Sequence, residues 1–391
     1  MKHYLFFTRN ALPQPRADLV QVANCANAAA NLGYSAVLGY LRPNSRNPLE
    51  WLHPFCPQPP TPELKQFYNL QDRLQVAALP IPWLSDHHKN TFTHPSTIIS
   101  KYYFPVHIRR NTKIVHTRDW NFVKAAVRSG IPAIYEHHHH EAKPFEPEIV
   151  QHPLFQIAIT VVDTVRESMI QQGMPPDKVV TLHNGFNQAF LTRHPVAAEA
   201  WRNQLLTQHQ YLAVYSGGLY SFKGVDLLIE AAKLLPSVQF VFAGGNDTQV
   251  ATYRQFAIDH QVENVQFLGY LRHDQLVSLL QAADVLVHPH RLTEEATYTS
   301  PLKFFEYMAS GTPIVATKIP PLMPFQASGV IAGWCEPDQP LQLAQGIQQV
   351  LTTHPRRTTG YTGGMEFVQQ FSWENRIRKI LSYVETAYQP V

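Results

Sequence analysis

Both halves of this 391-residue chain repeat one alternation, in which a short β-branched run is followed by a turn, an amphipathic helical stretch and another apolar run. Strands that are separated by helices can pair in parallel, because each helix carries the chain back across one face of the sheet. A single core rarely serves so long a chain, since domains typically hold roughly 100–200 residues. The sequence therefore predicts an α/β protein with two Rossmann-like parallel-sheet domains.

The first half carries the weaker pattern. Its predicted helices are Asp18–Asn31, Asn121–Arg128 and Val165–Gln172, with one more near Glu63–Val76 in an otherwise irregular, proline-rich stretch over residues 41–100. The predicted strands are Tyr4–Thr8, Ser35–Tyr40, Lys113–His116, Ala133–Tyr135, Ile157–Val162 and Val179–Leu182.

The second half alternates more regularly. Its predicted strands are Leu212–Ser216, Val238–Ala243, Val265–Leu268, Asp284–His288 and Pro313–Ala316. The predicted helices are Phe222–Leu235, Gln249–His260, Asp274–Ala283, Pro301–Ser310, Leu341–Thr352 and a final Trp373–Tyr388. We place the domains at residues 1–190 and 191–371, with residues 372–391 as a separate C-terminal helix.

Composition excludes several classes of function. A formal net charge of +3 is too weak to indicate a nucleic-acid-binding surface. Three cysteines form neither a disulfide framework nor a metal-binding knuckle. The first apolar run is too short for a signal peptide, and no stretch approaches the roughly 18 apolar residues of a membrane span. We expect a cytoplasmic protein; the basic pairs at 109–110 and 356–357 indicate solvated loops or, as an alternative, peripheral membrane contact.

Two strand-to-helix junctions in the second half indicate an anion site. At the first, Gly217 and Gly218 end a strand and allow close approach of a ligand, and Lys223 is predicted in the first turn of the next helix. At the second, Ser300 is a good N-cap, Pro301 suits the first helical position, and Lys303 falls in the first turn. A lysine there opposes the helix dipole, so two of them predict a bound phosphate unless both simply point into water.

Other residues near these junctions are candidate ligand contacts. Glu306 follows Lys303 by three positions, so it either accepts hydrogen bonds from a ribose or pairs with Lys303. Gly244 and Tyr270 follow two further strands, where each provides a ligand contact or belongs to a tight turn. No G-x-G-x-x-G follows the first strand, which argues against an NAD-type domain.

Two features of the first half have competing interpretations. Four consecutive histidines, residues 137–140, suggest a metal, but neighbouring strand residues point to opposite faces, so they cannot share one ion. Asp119 follows a strand, where it either meets an acceptor hydroxyl or caps the helix after it. We favour the cap and expect no metal site.

These motifs together resemble the retaining GT-B glycosyltransferases of family four, the group 1 type. The resemblance rests on VDLLIEAAKLL after Gly224, SPLKFFEYMASGTPIVAT from Ser300 and LGYL from Leu268. It is supported by DVLVHP from Asp284, HNG at 183–185 and FSWENRIRKIL near the end. It covers the second half nearly throughout and the first half only weakly, chiefly at IYEHH, residues 134–138. It implies a GT-B fold, two domains facing a central cleft and a last helix that returns toward the N-terminal domain.

The resemblance implies a role for each matching residue. Lys223 and the Leu302 and Lys303 amides would contact the diphosphate of a UDP- or GDP-type sugar donor, and Glu306 would hold its ribose. His138, with His137 and His139 as close rivals, would position the transferred sugar. The expected reaction is retaining, metal-independent transfer to a saccharide, glycolipid or metabolite, with no cofactor beyond the donor. Arg9, Arg16 and Asp119 would lie on the acceptor side, together with the aromatic-rich segment 41–105.

Three positions depart from the family pattern. Tyr298 stands where the family has an acidic residue, eight positions before Glu306; Gly218 replaces an arginine, and Asn187 replaces a hinge aspartate. Tyr298 therefore keeps open a non-catalytic nucleotide- or sugar-binding protein of the same fold. A solute receptor would need a signal peptide, and an epimerase would need catalytic carboxylates that the sequence does not identify.

Overall fold

The computed structural model describes residues 2–45, 47–71, 73–81, 94–298, 300 and 302–391. The chain divides into two compact units. Unit 1 comprises Met1–Gly185 and Trp373–Val391, and unit 2 comprises Phe186–Ser372. No helix in these described stretches is both long and apolar enough to cross a membrane.

Unit 1 is built on a parallel sheet of seven strands in its described part, in the order β3-β2-β1-β4-β5-β6-β7. The strands are β1 His3–Phe7, β2 Ala36–Arg42, β3 Gln75–Pro80, β4 Thr112–Thr117, β5 Ala133–Glu136, β6 Phe155–Thr160 and β7 Val179–Thr181. The helices are α1 Ala17–Asn31, α2 Pro48–Leu52, α3 Pro62–Tyr68, α4 Pro95–Ile98, α5 Trp120–Arg128, α6 Pro147–Val150 and α7 Asp163–Gln171. A π-helical segment, Ile99–Ile108, packs Phe104 against Phe122, whose ring stacks on Phe7.

Unit 2 is built on six parallel strands in its described part, in the order β10-β9-β8-β11-β12-β13. The strands are β8 Tyr211–Ser216, β9 Val238–Ala243, β10 Val265–Gly269, β11 Val285–His288, β12 Ile314–Thr317 and β13 Gly333–Cys335. The helices are α8 Pro195–Leu205, α9 Val225–Lys233, α10 Asp247–Asp259, α11 His273–Ala282, α12 Glu294–Thr297, α13 Leu302–Ser310, α14 Pro340–Thr353 and α15 Thr362–Val368. Two apolar clusters fill the sheet faces, one centred on Leu286 and Phe304 and the other on Phe240 and Ile347.

The predicted α/β class with two parallel sheets is confirmed, but two predicted helices end too late and one strand was missed. The helix near Glu63–Val76 ends at Tyr68, and the chain then forms β3 along β2, because parallel pairing at the sheet edge decides its conformation. Strand β13 was not predicted, since only its pairing with β12 distinguishes it from a loop. The last helix, α16, spans Trp373–Leu381 and gives way to a turn before Tyr388.

Candidate functional site

The strand order of unit 2 reverses between the neighbouring strands β8 and β11. From β8 the chain continues toward β9 and β10, and from β11 it continues toward β12 and β13 on the other side. Open parallel sheets bind ligands outside the carboxyl ends of their strands at such a point. Gly217 directly follows β8, and His290 lies two residues beyond β11. The first predicted junction therefore lies where the topology leaves a crevice.

Gly217 and Gly244 lie in adjacent turns and pack backbone against backbone. A Cβ on Gly244 would lie 2.1 Å from the Gly217 carbonyl oxygen, and Gly244 has a φ of +122°. The Gly244 amide donates to the carbonyl oxygen of Gly269 over 2.6 Å. The close approach of the two turns is thus sufficient reason for glycine at 244, which corresponds to the tight-turn interpretation.

Lys223 does not begin a helix, so that prediction is wrong. It ends a short 3₁₀ turn, Ser221–Lys223, and Gly224 at φ +64° separates it from α9. Any Cβ at Gly224 would lie 2.0 Å from the carbonyl oxygen of Pro289, so the turn is packed against the chain that leaves β11. This packing, rather than a helix dipole, holds Lys223 at the switch point.

The ammonium group of Lys223 has no carboxylate partner within the described stretches. Its Nζ lies 5.0 Å from the centroid of the Phe222 ring, a cation–π distance. Burial and, to a smaller extent, the nearby charge of Lys303 lower the pKa of Lys223 to about 8. A half-buried cation beside a second cation is a site prepared for an anion.

Lys303 lies in the first turn of α13, as predicted, and its Nζ donates to Glu306 Oε2 over 2.7 Å. The side chains are 35% and 13% exposed, respectively. Ser300 is buried just before the helix, whereas Pro301 lies outside the described residues. The helix-internal pair is therefore present, and Leu302 is the first residue of α13.

Tyr270 and Tyr298 each directly follow a secondary-structure element of unit 2. Tyr270 follows β10 and is 51% exposed. Tyr298 follows α12 and is half-buried, with Glu294 and Glu295 in the preceding turn. Thr293 caps that short helix through the amide of Ala296.

Two histidines that sequence reasoning missed lie beside Lys223. His288 and His290 are 2% and 3% exposed, and their ring centroids are 3.7 Å apart. Neither ring nitrogen of His288 has a hydrogen-bond partner among the residues described. Burial, reinforced by the charge of Lys223, lowers the pKa of His288 to about 3, so the ring is neutral. Two histidines at the end of an apolar strand were the available signal.

In unit 1 a buried carboxylate, Glu136, is surrounded by hydrogen-bond donors. His116 Nε2 lies 2.8 Å from Glu136 Oε2, and His138 Nε2 lies 2.7 Å from Oε1. Arg376 of α16 donates to Oε1 over 2.7 Å. Burial raises the pKa of this carboxyl, but the charge of Arg376 and the histidine hydrogen bonds outweigh it and hold the pKa well below 4.5.

The hydrogen bonds of His138 determine its tautomer. Arg118 is always protonated, so its NH1 donates to Nδ1 over 3.0 Å, and the ring proton lies on Nε2, facing Glu136. Burial and the charge of Arg118 lower the pKa of His138 to about 3. Both ring nitrogens are thus occupied inside unit 1, and a sugar contact through either would have to replace one of these bonds. The role in positioning a sugar stays a prediction.

The predicted acceptor-side residues differ in how they are engaged. Arg16 forms a bidentate pair with Asp18 at 2.8 and 3.1 Å. Asp119 caps α5 through the amide of Phe122 and accepts from the Ser96 hydroxyl, so the capping interpretation describes it. Arg9 is exposed. Of the aromatic-rich segment 41–105, residues 82–93 lie outside the described stretches.

The four consecutive histidines are not gathered around one point. His137 Nδ1 lies 2.9 Å from the hydroxyl of Tyr135, whereas His138 faces Glu136. Within the described stretches, no group of three or more histidine, cysteine or acidic side chains is placed to hold a metal ion.

Comparison with known sequences places the second half of the chain in a family. Residues 197–360 match the family model described as Glycosyl transferases group 1. The chain is 29% identical over 230 residues to the D-inositol 3-phosphate glycosyltransferase of Corynebacterium aurimucosum, covering 55% of this chain and 53% of that protein. It is 27% identical over 240 residues to an uncharacterized glycosyltransferase of Methanocaldococcus jannaschii, covering 59% and 60% of the two chains. The chain thus spans little more than half the length of the curated relatives it matches.

Comparison with solved structures extends the likeness of fold to the whole chain. HepE of Anabaena, in complex with UDP and glucose, superposes with a TM-score of 0.65 at 16% identity and covers 98% of this chain and 100% of its own. The sucrose-phosphate synthase of Thermosynechococcus elongatus gives a TM-score of 0.69 at 17% identity, with 98% of each chain covered. Residues 197–360 are thus similar to the group 1 glycosyltransferases, and the chain with its two parallel-sheet units has the GT-B fold.

Proposed function

We propose that this protein transfers a sugar, with retention of anomeric configuration and without a metal ion, from a nucleoside diphosphate sugar to an acceptor hydroxyl. One observation carries the proposal. Lys223 is a half-buried cation without a described carboxylate partner, held at the switch point of unit 2 and close enough to Lys303 for their charges to interact. A diphosphate supplies the missing negative charge.

In the proposed reaction, the bond between the sugar C1 and the β-phosphate oxygen breaks and a bond from C1 to the acceptor oxygen forms on the same face. The acceptor proton passes to the departing phosphate oxygen, so the products are glycosylated acceptor and nucleoside diphosphate. Lys223 and the first-turn amides of α13 stabilise the charge that develops on the leaving group. These groups do the work that a divalent cation would otherwise do.

The remaining roles follow the family resemblance. Glu306 accepts hydrogen bonds from ribose hydroxyls, Tyr270 lies near the base, and Ser300 and Leu302 flank the phosphates. Gly217 and Gly218 allow the donor to approach the backbone after β8. We propose UDP as the nucleotide, because HepE, which shares the fold, was solved with UDP and glucose.

The acceptor is proposed only by class, as a saccharide, glycolipid or small metabolite. The similar proteins named D-inositol 3-phosphate glycosyltransferase act on a phosphorylated polyol according to their name. The part of this chain that they match does not extend over their whole length.

The test is calorimetric titration of UDP and uridine into the full chain and into two lysine variants. Lys223→Ala should weaken UDP binding roughly 10- to 100-fold, the worth of a charge-assisted hydrogen bond, and leave uridine unchanged. Lys233→Ala is the matched control, because Lys233 lies at the far end of α9 and donates only to a backbone carbonyl in that region. Equal losses for UDP and uridine would reject the phosphate role of Lys223.

Tyr298 favours one alternative, a non-catalytic nucleotide- or sugar-binding protein. It stands where an acidic side chain would touch the sugar, so the donor would bind without being cleaved. Slow hydrolysis of UDP-glucose in the absence of acceptor separates the two. Release of UDP supports the transferase, and tight binding without any release supports the binder.

A further inference from the structure

Unit 1 has its own switch point, between β1 and β4, where the strand order reverses. Two arginines lie at the carboxyl ends of these two strands. Arg9 lies two residues beyond β1, and Arg118 directly follows β4. By the rule that governs open parallel sheets, this is where unit 1 should bind its ligand.

Arg118 is half-buried, and it forms no direct ion pair with a described acidic side chain of unit 1. Its polar contact is Nδ1 of His138, a neutral imidazole. No acidic side chain of the described residues lies within 4.0 Å of its guanidinium nitrogens. Desolvation by burial lowers the pKa of Arg118, and the charges of Glu136 and Asp18 offset this only in part.

The carboxylates closest to Arg118 are already engaged by other groups. Glu136 accepts from Arg376 and two histidines. Asp18 pairs with Arg16 on both oxygens, and Asp119 accepts from Ser96 and the Phe122 amide. Glu136 and Asp18 therefore act on the charge of Arg118 without pairing directly with it.

Arg9 adds a second uncompensated cation in the same region. It is exposed, and it has no hydrogen bond or ion pair within the part of the chain described. β1 and β4 pair in parallel with Phe7 opposite Thr117, so Arg9 and Arg118 leave the sheet at the same edge, from neighbouring strands.

We propose that unit 1 binds a phosphate group of the acceptor between Arg118 and Arg9. This inference rests on the proposed function and narrows its acceptor to a phosphorylated sugar or polyol. Two guanidinium groups match the charge of a phosphomonoester, about −1.5 to −2 at neutral pH, and the planar fork of arginine suits bidentate contact with it. His138 is a positioning residue here, because its bonds to Glu136 and Arg118 orient the guanidinium.

The experiment titrates inorganic phosphate, glucose 6-phosphate and glucose into the full chain, at constant ionic strength and with saturating UDP so that Lys223 and Lys303 are occupied. Arg118→Gln and Arg9→Gln should each weaken binding of both phosphates roughly 10- to 100-fold. Arg110→Gln is the matched control, because this exposed arginine lies just before β4, at the opposite end of the strand from Arg118. The unsubstituted chain should bind glucose 6-phosphate more tightly than glucose. This preference should disappear in Arg118→Gln and Arg9→Gln.

The outcomes separate this inference from the proposed function. If Arg118→Gln binds UDP like the unsubstituted chain but no longer binds phosphate, the result supports the anion site and the proposed function. Phosphate binding that is the same in Arg118→Gln, Arg9→Gln and Arg110→Gln overturns the anion site while leaving the donor site in place. A chain that binds no UDP but shows arginine-dependent phosphate binding keeps the anion site and rejects the transferase. Arg9→Gln changes an exposed side chain, so its result does not depend on the folding of Arg118→Gln.

Discussion

Arg376→Met breaks the buried ion pair of unit 1 and tests how α16 is held there. Arg376 and Glu136 have side chains that are 3% and 1% exposed, and the guanidinium also donates to the carbonyl oxygen of His183 over 2.9 Å. Methionine keeps the length of the aliphatic stem but removes the charge and its four hydrogen bonds, to Glu136, His183 and Cys25. Glu136 is then a buried carboxylate that keeps only its hydrogen bonds to His116 and His138.

Removing one partner of a buried pair typically costs about 3–5 kcal/mol, because the other charge stays desolvated. The whole stability of a domain is about 5–15 kcal/mol, so unit 1 should remain folded but open far more often. Arg378→Met is the control: Arg378 lies on the exposed side of the same helix and bonds to Asn375, so its loss should stay within about 0.5 kcal/mol.

The expected pH dependence provides a second, independent readout. In the unsubstituted chain the pKa of Glu136 is well below 4.5, so its stabilisation is present above that pH and is lost as the pH falls through the depressed pKa. In Arg376→Met the largest charge that lowers this pKa is absent and burial raises it. The buried carboxyl can then take up a proton, and the destabilisation should be largest near pH 8 and smaller near pH 5.

Hydrogen exchange followed by mass spectrometry measures this unit by unit. Peptides that cover β5 and α16 should exchange about two to four orders of magnitude faster in Arg376→Met, whereas peptides from β9 in unit 2 should not change. If Arg376→Met lowers the free energy of opening unit 1 by less than about 1 kcal/mol, the pair does not hold α16. The same conclusion follows if Arg378→Met lowers it as much as Arg376→Met does. A loss independent of pH would refute the assignment of the penalty to ionised Glu136.

Three further predictions concern unit 2. UDP affinity should be constant below about pH 8 and fall above it as Lys223 loses its proton, whereas Lys223→Arg should bind UDP with no such fall, both measured by calorimetry from pH 7 to 9.5. Gly244→Ala should destabilise unit 2 by at least about 1–3 kcal/mol in urea unfolding, because of its positive φ and the 2.1 Å approach to the Gly217 oxygen; Gly363→Ala, which meets open space, should not. The pKa of His288 is lowered from 6.5 to about 3, so between pH 6.5 and pH 3 this ring is protonated in the unfolded chain and neutral in the folded one. The free energy of unfolding therefore falls as the pH drops through that range. His288→Phe should reduce the fall in the free energy of unfolding between pH 6.5 and pH 5 by about 2 kcal/mol. If the free energy of unfolding depends on pH as steeply in His288→Phe as in the unsubstituted chain, the ring is not neutral and buried.

Much of the fold could be predicted because local patterns record it. Apolar runs such as Val238–Ala243 are buried on both faces of a parallel sheet, and their composition alone marks them as strands. Two edge strands were harder to predict. Gln75–Pro80 and Gly333–Cys335 are strands because of the neighbours they pair with, and no periodicity in the sequence distinguishes them. The conformation of Lys223 was missed for a similar reason, since Gly224 is packed against Pro289, which is remote in sequence.

The sequence by itself determined the α/β class, the glycine-rich turns after the strands and the two lysines that indicate an anion. Those features depend on residue type and short spacing, which the chain carries locally. Only the tertiary structure decided which charges are neutralised. Glu136 and Arg376 lie 240 positions apart and pair in the interior, whereas Arg118, which directly precedes a helix-capping acid, forms no ion pair in the described structure. Charge compensation depends on distances between strand ends and helices that are brought together by folding, so no local pattern reveals which cations remain available for a ligand.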